Sequence, residues 1–260
     1  MRCRGTGPDD IPRLTALWRE AFGDTDEEIA RFFDALFPVC AGFGAEEDGV
    51  LASMLFALPV TLARGPETKK AAYFYAVATD RAFRGRGLAR ALMAHAEARL
   101  QRRGVSCALL VPGEPSLVRF YEPLGYRQRT FLDEKTAEGV RGRGSAELIS
   151  SADYAGLRET LLADVPHVRC GLPLLEYERG TRAFYALRLD GKTGCAAASM
   201  EDGLAVCDEL LPDASMLPAL MTALPAEACR VRSPGGGTPF GMVKWLDGGG
   251  EPPYLAFAFD

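Results

Sequence analysis

A short segment of arginine and glycine residues carries the clearest chemical signal in this sequence. It reads Arg84-Gly85-Arg86-Gly87-Leu88-Ala89. An apolar run (71–79) precedes it and an amphipathic stretch (88–100) follows it. A strand, a tight turn and a helix start in this order direct several unpaired backbone N–H groups at one place, where the helix dipole also favours an anion. The segment therefore predicts a phosphate-binding loop.

The spacing of the glycines separates three kinds of phosphate-binding loop. A dinucleotide-binding loop needs a third glycine where this chain has Arg90, and a P-loop needs Gly-Lys-Ser/Thr, which is absent after Gly87. The third pattern, Arg/Gln-x-x-Gly-x-Gly/Ala, is satisfied by Arg84, Gly87 and Ala89. Here the chain resembles the GNAT family of acyl-CoA-dependent N-acyltransferases, in which this loop binds the coenzyme A pyrophosphate. A solvated loop of the same composition remains the alternative.

A second motif strengthens the resemblance. Residues 120–126 read Phe-Tyr-Glu-Pro-Leu-Gly-Tyr and look like the family's Tyr-x-x-x-Gly-Phe/Tyr signature. Periodicity and turn residues predict elements in the family's order around both motifs. These are helices at 14–22 and 26–37, antiparallel strands within 50–62, the strand at 71–79, a helix at 88–100, a strand at 105–111, a short helix at 114–121 and a strand ending at 131. The resemblance covers residues 1–133.

The resemblance implies a fold, a co-substrate and a set of site residues. The fold is the mixed α/β sheet (α+β) of the GNAT acyltransferases, and the co-substrate is acetyl-CoA. Backbone groups of Val77, Ala78 and Thr79 would contact the acyl carbonyl and pantetheine, although plain strand packing remains open for these three. The loop residues that would bind the coenzyme are Arg84, Gly85, Arg86, Gly87, Leu88 and Ala89.

Tyr121 stands where the family places a general acid beside the coenzyme sulfur, and a core tyrosine is its alternative role. Many members carry asparagine seven residues earlier, where this chain has Glu114. We expect that carboxylate to cap the helix that begins at Pro115. Tyr121 is therefore the predicted proton donor to the leaving thiolate.

A base is expected as well, because a primary amine is largely protonated at pH 7. Tyr73 and Tyr75 share a strand face with Val77 and supply no carboxylate, and neither His95 nor His167 lies at a motif position. The chain ends in an apolar segment, 254–259, followed by Asp260. In the resembling enhanced-intracellular-survival enzymes a terminal carboxylate returns to the active site, so Asp260 is a second predicted catalytic residue; a frayed end is the alternative.

The second half of the chain predicts a further domain. A polar, glycine-rich segment (133–145) indicates a linker, and its Arg141-Gly142-Arg143-Gly144 repeats the earlier tetrapeptide without a strand before it or a helix directly after it. Beyond it we predict a helix (151–162) capped by Ser150 or Ser151, strands at 184–189, 195–200 and 204–211, a helix at 216–224 and a strand at 254–259. We therefore expect a catalytic GNAT domain at 1–135 and a degenerate GNAT-like domain at 146–260, in which residues 232–238 form an ordinary loop.

Composition bounds the class of protein. The net charge of −5 argues against a general nucleic-acid binder and suits a cationic substrate. Seven scattered cysteines without a C-x-x-C pair predict buried, reduced thiols and no metal site. The N-terminus shows no signal peptide, and the apolar run at 51–63 is too short to span a bilayer. We expect a cytoplasmic protein with a small-molecule or peptide amine as acceptor and no nucleic-acid or membrane partner; a homodimer stays open.

Two functions remain open from the sequence. The first is an acetyl-CoA-dependent N-acetyltransferase, favoured because Tyr121 accompanies an intact loop. The second is a binding module that senses acyl-CoA without turnover. The acceptor's identity depends on variable loops around 22–25 and on the second domain, which the sequence does not resolve.

Overall fold

The computed structural model describes residues 1–259 and divides into two compact units. The first comprises Met1–Thr61, Lys69–Arg127 and Val243–Gly250, and the second comprises the intervening segments and the chain from Glu251 onward. The units thus alternate along the chain, and the division into domains at 1–135 and 146–260 stays a prediction. Among the described residues, no helix combines the length and the apolar character needed to cross a membrane.

The first unit contains five strands in the order β1-β2-β3-β4-β5, with the tips of β3 and β4 assigned to the second unit. β1 pairs with β2 and β2 with β3 in antiparallel fashion, whereas β4 and β5 are parallel and joined through a helix. Its elements are β1 (Arg2–Gly5), α1 (Ile11–Phe22), α2 (Asp26–Ala35), β2 (Ala41–Glu47), β3 (Val50–Arg64), β4 (Glu67–Thr79), α3 (Leu88–Gln101), β5 (Cys107–Leu110) and α4 (Val118–Tyr121).

The second unit carries the strand order β6-β12-β11-β10-β9-β7. Its elements are β6 (Arg127–Glu138), β7 (Ser145–Leu148), α5 (Ser151–Leu161), β8 (His167–Cys170), α6 (Leu172–Glu178), β9 (Ala183–Leu189), β10 (Lys192–Glu201), β11 (Leu204–Leu211), α7 (Leu217–Leu220), β12 (Ala228–Pro234) and the first part of β13 (Thr238–Trp245). The strand pair around the turn at 190–192 is confirmed, as is the Ser150 cap, whose hydroxyl accepts from Asp153 N at 3.1 Å.

The two N-terminal helices begin and end where their sequence signals lie. Thr25 caps α2 in a reciprocal capping box, with Glu28 accepting from Thr25 N at 2.8 Å. α1 stops at Gly23, whose φ of 79° only glycine adopts without strain. The apolar faces of both helices meet around Trp18, whose ring lies 4.7 Å from that of Phe32. This aromatic core holds the C-terminal end of α1 against the sheet.

Helix α3 is fixed over the sheet by its buried face. Leu88, Leu92, Ala96 and Leu100 are buried at helical spacing. Glu97 is also buried, and its carboxylate accepts hydrogen bonds from the Tyr126 hydroxyl at 3.0 Å and from a lysine ammonium of the same unit. Because the Glu97 carboxylate is paired, its burial does not destabilise the packing of α3 against the sheet. The packing of α3 against the sheet therefore fixes the position of its first turn, where the glycine loop ends.

Four predictions about the second half were wrong in detail. The loop predicted at 232–238 is reduced to residues 235–237, because residues 232–234 belong to β12 and residue 238 begins β13. Residues 133–138, predicted as linker, belong to β6 and pair with β12 from Asp133↔Ser233 to Glu138↔Ala228. The strand predicted at 254–259 is reduced to a single bridge between His167 and Tyr254. The helix predicted at 216–224 shrinks to α7, and Pro225 disfavours a helical conformation at Leu224, the residue before it.

Candidate active site

A cleft of about 800 Å³ opens in the first unit beside the end of β4. Its walls are the last residues of β4, the glycine loop, the first turn of α3, the segment that leads into α4, and the C-terminal end of α1. The volume falls in the range of small-molecule sites. The two motifs singled out from the sequence thus face one cavity.

The end of β4 departs from regular strand geometry at Ala76. Its φ of 48° lies in the left-handed region, which is costly for a residue with a Cβ. Registered pairing with β5 covers three residues and stops at Tyr73↔Leu109. Just past that point, Val111 N donates to a side chain of β4, the Tyr73 hydroxyl, at 3.3 Å. The two parallel strands therefore diverge, and the cleft begins where they part.

Backbone groups past the irregularity alternate between β3 and the cleft side. The Ser53 hydroxyl donates to the Ala78 carbonyl at 2.7 Å, and Asp80 N donates to the Ala52 carbonyl at 2.9 Å. Because successive strand residues direct their backbone groups to opposite edges, those of Val77 and Thr79 point away from β3. These are the backbone groups that a ligand between the diverging strands can reach.

The glycine loop is shaped for close approach of a ligand to its backbone. Gly85 and Gly87 have φ values of 76° and 80°, and Gly87 is the N-cap of α3 without any side-chain cap. A Cβ added to either glycine would meet no atom within 4 Å, so both face open space. The first N–H groups of α3 have no intrahelical acceptor and carry the positive end of the helix dipole. The loop can therefore hold a phosphate by backbone groups alone.

The arginines of the segment differ in where their side chains go. Arg84 lines the cleft, and its Nε donates to the Thr79 carbonyl at 3.1 Å, which ties the loop to the end of β4. Arg86 turns elsewhere: its Nη2 donates to the Ala82 carbonyl at 3.2 Å, and its Nη1 lies 3.6 Å from the Asp48 carboxylate. Arg90, which sequence reasoning noted only as a missing glycine, lines the cleft one turn into α3.

Tyr121 lies at the end of α4 and lines the cleft with 7% of its surface exposed. Its ring contacts those of Phe120 and Tyr126 at centroid distances of 5.1 and 5.9 Å. Burial raises the pKa of the hydroxyl to about 12. The phenol therefore stays protonated throughout the neutral range and can donate a hydrogen bond or a proton there.

Glu114 does not cap the helix, contrary to expectation. It occupies the position before Pro115, but its carboxylate accepts from the Ser116 hydroxyl at 3.1 Å and from no backbone N–H of the turn. The side chain faces the cleft. Among the described residues that line the cleft it is the one carboxylate.

The histidines lie away from this cleft. His95 packs its ring 6.2 Å from that of Phe43, and partial burial with nearby Arg99 and Arg102 lowers its pKa. His167 belongs to the second unit, where Nε2 lies 3.1 Å from Glu159. Tyr75 packs 5.5 Å from the Trp18 ring. Asp260 lies outside the described residues.

Several lining residues had no sequence signal of their own. Two of them are the apolar side chains Phe83 and Leu117. Apolar residues at the ends of short helices are ordinarily read as core, and only their placement in space assigns them to the cleft. The loop around Phe22, in contrast, was expected to form an acceptor wall.

The model of the acetyltransferase (GNAT) domain family matches residues 2–129 of this chain. Both sequence motifs and the whole cleft lie within the matched segment. Among curated proteins, none matches the sequence significantly.

Solved structures resemble the chain beyond the family domain. A probable N-acyltransferase from Enterococcus faecalis has 20% identity and a TM-score of 0.77, covering 95% of this chain and 73% of its own. A GCN5-related N-acetyltransferase from Kribbella flavida has 15% identity and a TM-score of 0.73 over 95% and 72%. Eis1 from Mycobacterium abscessus has 13% identity and a TM-score of 0.69 over 95% and 74%.

These likenesses extend over the second half of the chain, so the predicted fold class, a mixed α/β GNAT fold with two GNAT-like domains in tandem, is confirmed. The match of the family model adds the kind of chemistry. Residues 2–129 of the chain thus form an acetyltransferase domain of the GNAT type.

Proposed function

We propose that the protein transfers an acetyl group from acetyl-CoA to a primary amine of a small molecule or peptide. One observation carries the proposal: a single cleft collects the glycine loop, the diverging end of β4 and the Tyr121 hydroxyl. These three features answer the three needs of acyl transfer, namely a bound phosphate, a polarised carbonyl and a proton donor for the leaving group.

The residues of the cleft fit acetyl-CoA. Backbone N–H groups of the loop and the first turn of α3, with Arg84 and Arg90, would hold the pyrophosphate, and the absence of Cβ atoms at Gly85 and Gly87 permits close approach. When bound, the co-substrate supplies an activated thioester. Backbone N–H groups of Val77 and Thr79 would then orient its carbonyl and stabilise negative charge on the oxygen, whereas the backbone of Ala78 faces β3.

Tyr121 acts on the leaving sulfur in this proposal. Its pKa of about 12 exceeds that of an ordinary thiol, about 8.5, so complete proton transfer would cost about 5 kcal/mol if neither value changed on binding. A hydrogen bond donated to the developing thiolate avoids most of that cost. The hydroxyl is therefore a general acid whose proton moves late, as the thiolate's charge develops.

The test is Tyr121→Phe, which removes the hydroxyl and keeps the ring. We expect kcat to fall roughly 10²-fold, the range typical of a lost general acid, with the Kd for acetyl-CoA unchanged by calorimetry. A tyrosine that only packs in the core predicts a folded variant with full activity. Near wild-type kcat would therefore remove Tyr121 from the mechanism.

The raised pKa of Tyr121 determines the expected pH dependence of the reaction rate. A phenol whose pKa is about 12 loses its proton only above the range accessible to the assay. Ionisation of Tyr121 should therefore cause no fall in the wild-type rate between pH 8 and roughly pH 10. Any fall in that range should persist in Tyr121→Phe. An alkaline limb near pH 9 that disappears in the variant would contradict the assigned role.

A second measurement separates turnover from acyl-CoA sensing. A catalytic protein releases the coenzyme thiol at a rate that depends on the amine concentration, whereas a sensing module binds acetyl-CoA and releases none. Thiol release with a panel of amines, alongside calorimetric titration of acetyl-CoA, distinguishes the two.

Asp260 remains the proposed base, on the resemblance alone. Neutralising both of its carboxylates, by Asp260→Asn in a chain with an amidated C-terminus, would preserve size and remove charge. We expect kcat to fall at least tenfold with acetyl-CoA affinity intact. Full activity in the neutralised chain would assign proton removal from the amine to solvent or to another group.

A further inference from the structure

Phe22 is an apolar side chain held at the mouth of the cleft. It is the last residue of α1, and 47% of its surface is exposed. Its ring lies 6.0 Å from that of Trp18, edge to face, and the Trp18 indole N–H donates to the Asp24 carboxylate at 2.7 Å. Because the rest of α1 precedes Phe22 and the hydrogen bond from Trp18 holds Asp24 after it, the backbone on both sides of Phe22 is fixed. The ring is therefore positioned before any ligand arrives.

Another element that lines the cleft presents more apolar surface. Leu117, 37% exposed, and the half-buried Phe120 line the cleft from the segment that leads into α4. Large apolar side chains exposed together at one concavity mark a ligand contact more often than chance exposure does. More than one element of the cleft can therefore contact an apolar group of a ligand.

The charges that line the cleft do not match a polycation. Arg84 and Arg90 are positive, and Glu114 is the one lining carboxylate of the described residues, already accepting from Ser116. A polyamine or an aminoglycoside carries several ammonium groups, each of which needs an acceptor to replace its water. Arg84 and Arg90 are assigned to the pyrophosphate, and Glu114 alone cannot serve several ammonium groups, whereas a single amine loses its charge on reaction and needs no such set.

From these observations we infer that the acceptor is a monoamine whose amine is joined to an aromatic or branched aliphatic body, bound against Phe22. The inference rests on the proposed function and names the class of its acceptor. It assigns Phe22 the role of a specificity-determining residue, which contacts the body of the acceptor and takes no part in proton transfer.

The experiment compares amines in a thiol-release assay at saturating acetyl-CoA. The probes are 2-phenylethylamine and isopentylamine on one side, and spermidine and kanamycin on the other. We expect kcat/KM for 2-phenylethylamine to exceed that for spermidine by at least about tenfold. Phe22→Ser should raise the KM for 2-phenylethylamine roughly tenfold, with kcat and the Kd for acetyl-CoA unchanged.

Two further variants keep this result interpretable. Phe22→Leu retains an apolar contact and should keep the KM within about threefold of the wild-type value. Phe131→Ser is the matched control, since Phe131 is 36% exposed on β6 and does not line the cleft. It should leave all four amines unaffected.

The outcomes separate this inference from the proposed function. Preference for spermidine or kanamycin, or an unchanged KM in Phe22→Ser, overturns the inference while the acetyltransferase proposal stands. Preference for octanoyl-CoA over acetyl-CoA that Phe22→Ser removes also overturns it, because the apolar wall would then bind the acyl chain. Absence of thiol release with every amine, despite acetyl-CoA binding, overturns the proposed function itself.

Discussion

The tetrapeptide Arg-Gly-Arg-Gly occurs twice in this chain, and its two copies do opposite things. In the copy at 84–87 both glycines have positive φ, and a Cβ at either would meet nothing within 4 Å. In the copy at 141–144, a Cβ on Gly144 would lie 2.3 Å from the Arg188 carbonyl oxygen. The first pair of glycines leaves space for a ligand, and the second allows the protein to pack against itself.

The surroundings of the second copy correct the prediction of a flexible linker. Arg143 N donates to the Pro218 carbonyl at 2.9 Å, and the Arg143 guanidinium pairs with Asp190 at 2.6 Å. Gly142 lies close enough to α7 and its following turn that an added Cβ would be 3.2 Å from the Met221 carbonyl oxygen. This segment is therefore tied down along its length by contacts within the second unit.

The difference shows that glycine spacing specifies backbone freedom and nothing more. What uses that freedom is decided by the neighbouring elements: a diverging strand and an uncapped helix start in one case, and adjacent strand backbone in the other. Substitutions at equivalent positions should therefore fail in different ways, one in binding and the other in stability.

Gly87→Val should have the largest effect on binding. The branched side chain would fill the space beside the first N–H groups of α3, and its left-handed φ adds about 1–2 kcal/mol of strain at an exposed site. We expect acetyl-CoA affinity to fall at least about 10²-fold by calorimetry, with the circular dichroism spectrum unchanged. Retained affinity in the folded variant would refute the loop assignment.

Gly144→Val should instead destabilise the second unit. The added Cβ would overlap the Arg188 carbonyl and occupy a φ of 91°, so the backbone must shift. Strain of this kind costs about 3 kcal/mol, which corresponds to a fall in Tm of about 6–12 °C. The folded fraction should bind acetyl-CoA normally. Gly236→Val, where an added Cβ meets nothing, is the control and should leave Tm within about 2 °C.

The smallest effects should come from the arginines of the first copy and its neighbour. Arg90→Gln removes a charge that lines the cleft, and we expect the Kd for acetyl-CoA to rise roughly five- to tenfold, less so at high salt. Arg86→Gln removes a charge already paired with Asp48, and should change the Kd less than about twofold. Equal effects of the two variants would show that long-range charge, not contact, drives binding.

Sequence alone located the elements that build the cleft because each has a strong local signal. The apolar run of β4, the glycine pair and the periodicity of α3 predict their own structure. Among the described residues, the strands that were not predicted are β1, β2, β7, β8, β12 and β13. For example, β2 contains two glycines and two glutamates, and β13 follows a glycine triplet. Their strand character comes from pairing with distant partners, which no local window contains.

The site itself was predictable from the sequence only at its two motifs. The glycine loop and Tyr121 lie at motif positions, but an alanine gives no sequence signal of a positive φ such as that of Ala76. Arg86 was expected to bind the coenzyme, and only its distance to Asp48 and its bond to the Ala82 carbonyl show where the side chain goes. Its predicted part in binding now rests on its backbone N–H.

The parting of β4 from β5 also bears on aggregation. A strand whose backbone groups lack a neighbour ordinarily invites another chain to pair with it, which is why exposed sheet edges are kept short, charged or covered. In this unit such a stretch lies inside the sheet, with β3 on one side and a cleft on the other, and extends over residues 77–79. A second polypeptide strand cannot align along so short an edge, whereas one slender extended ligand with amide groups can. The protein thus keeps unpaired strand backbone available to a ligand while it is protected from self-association at that point.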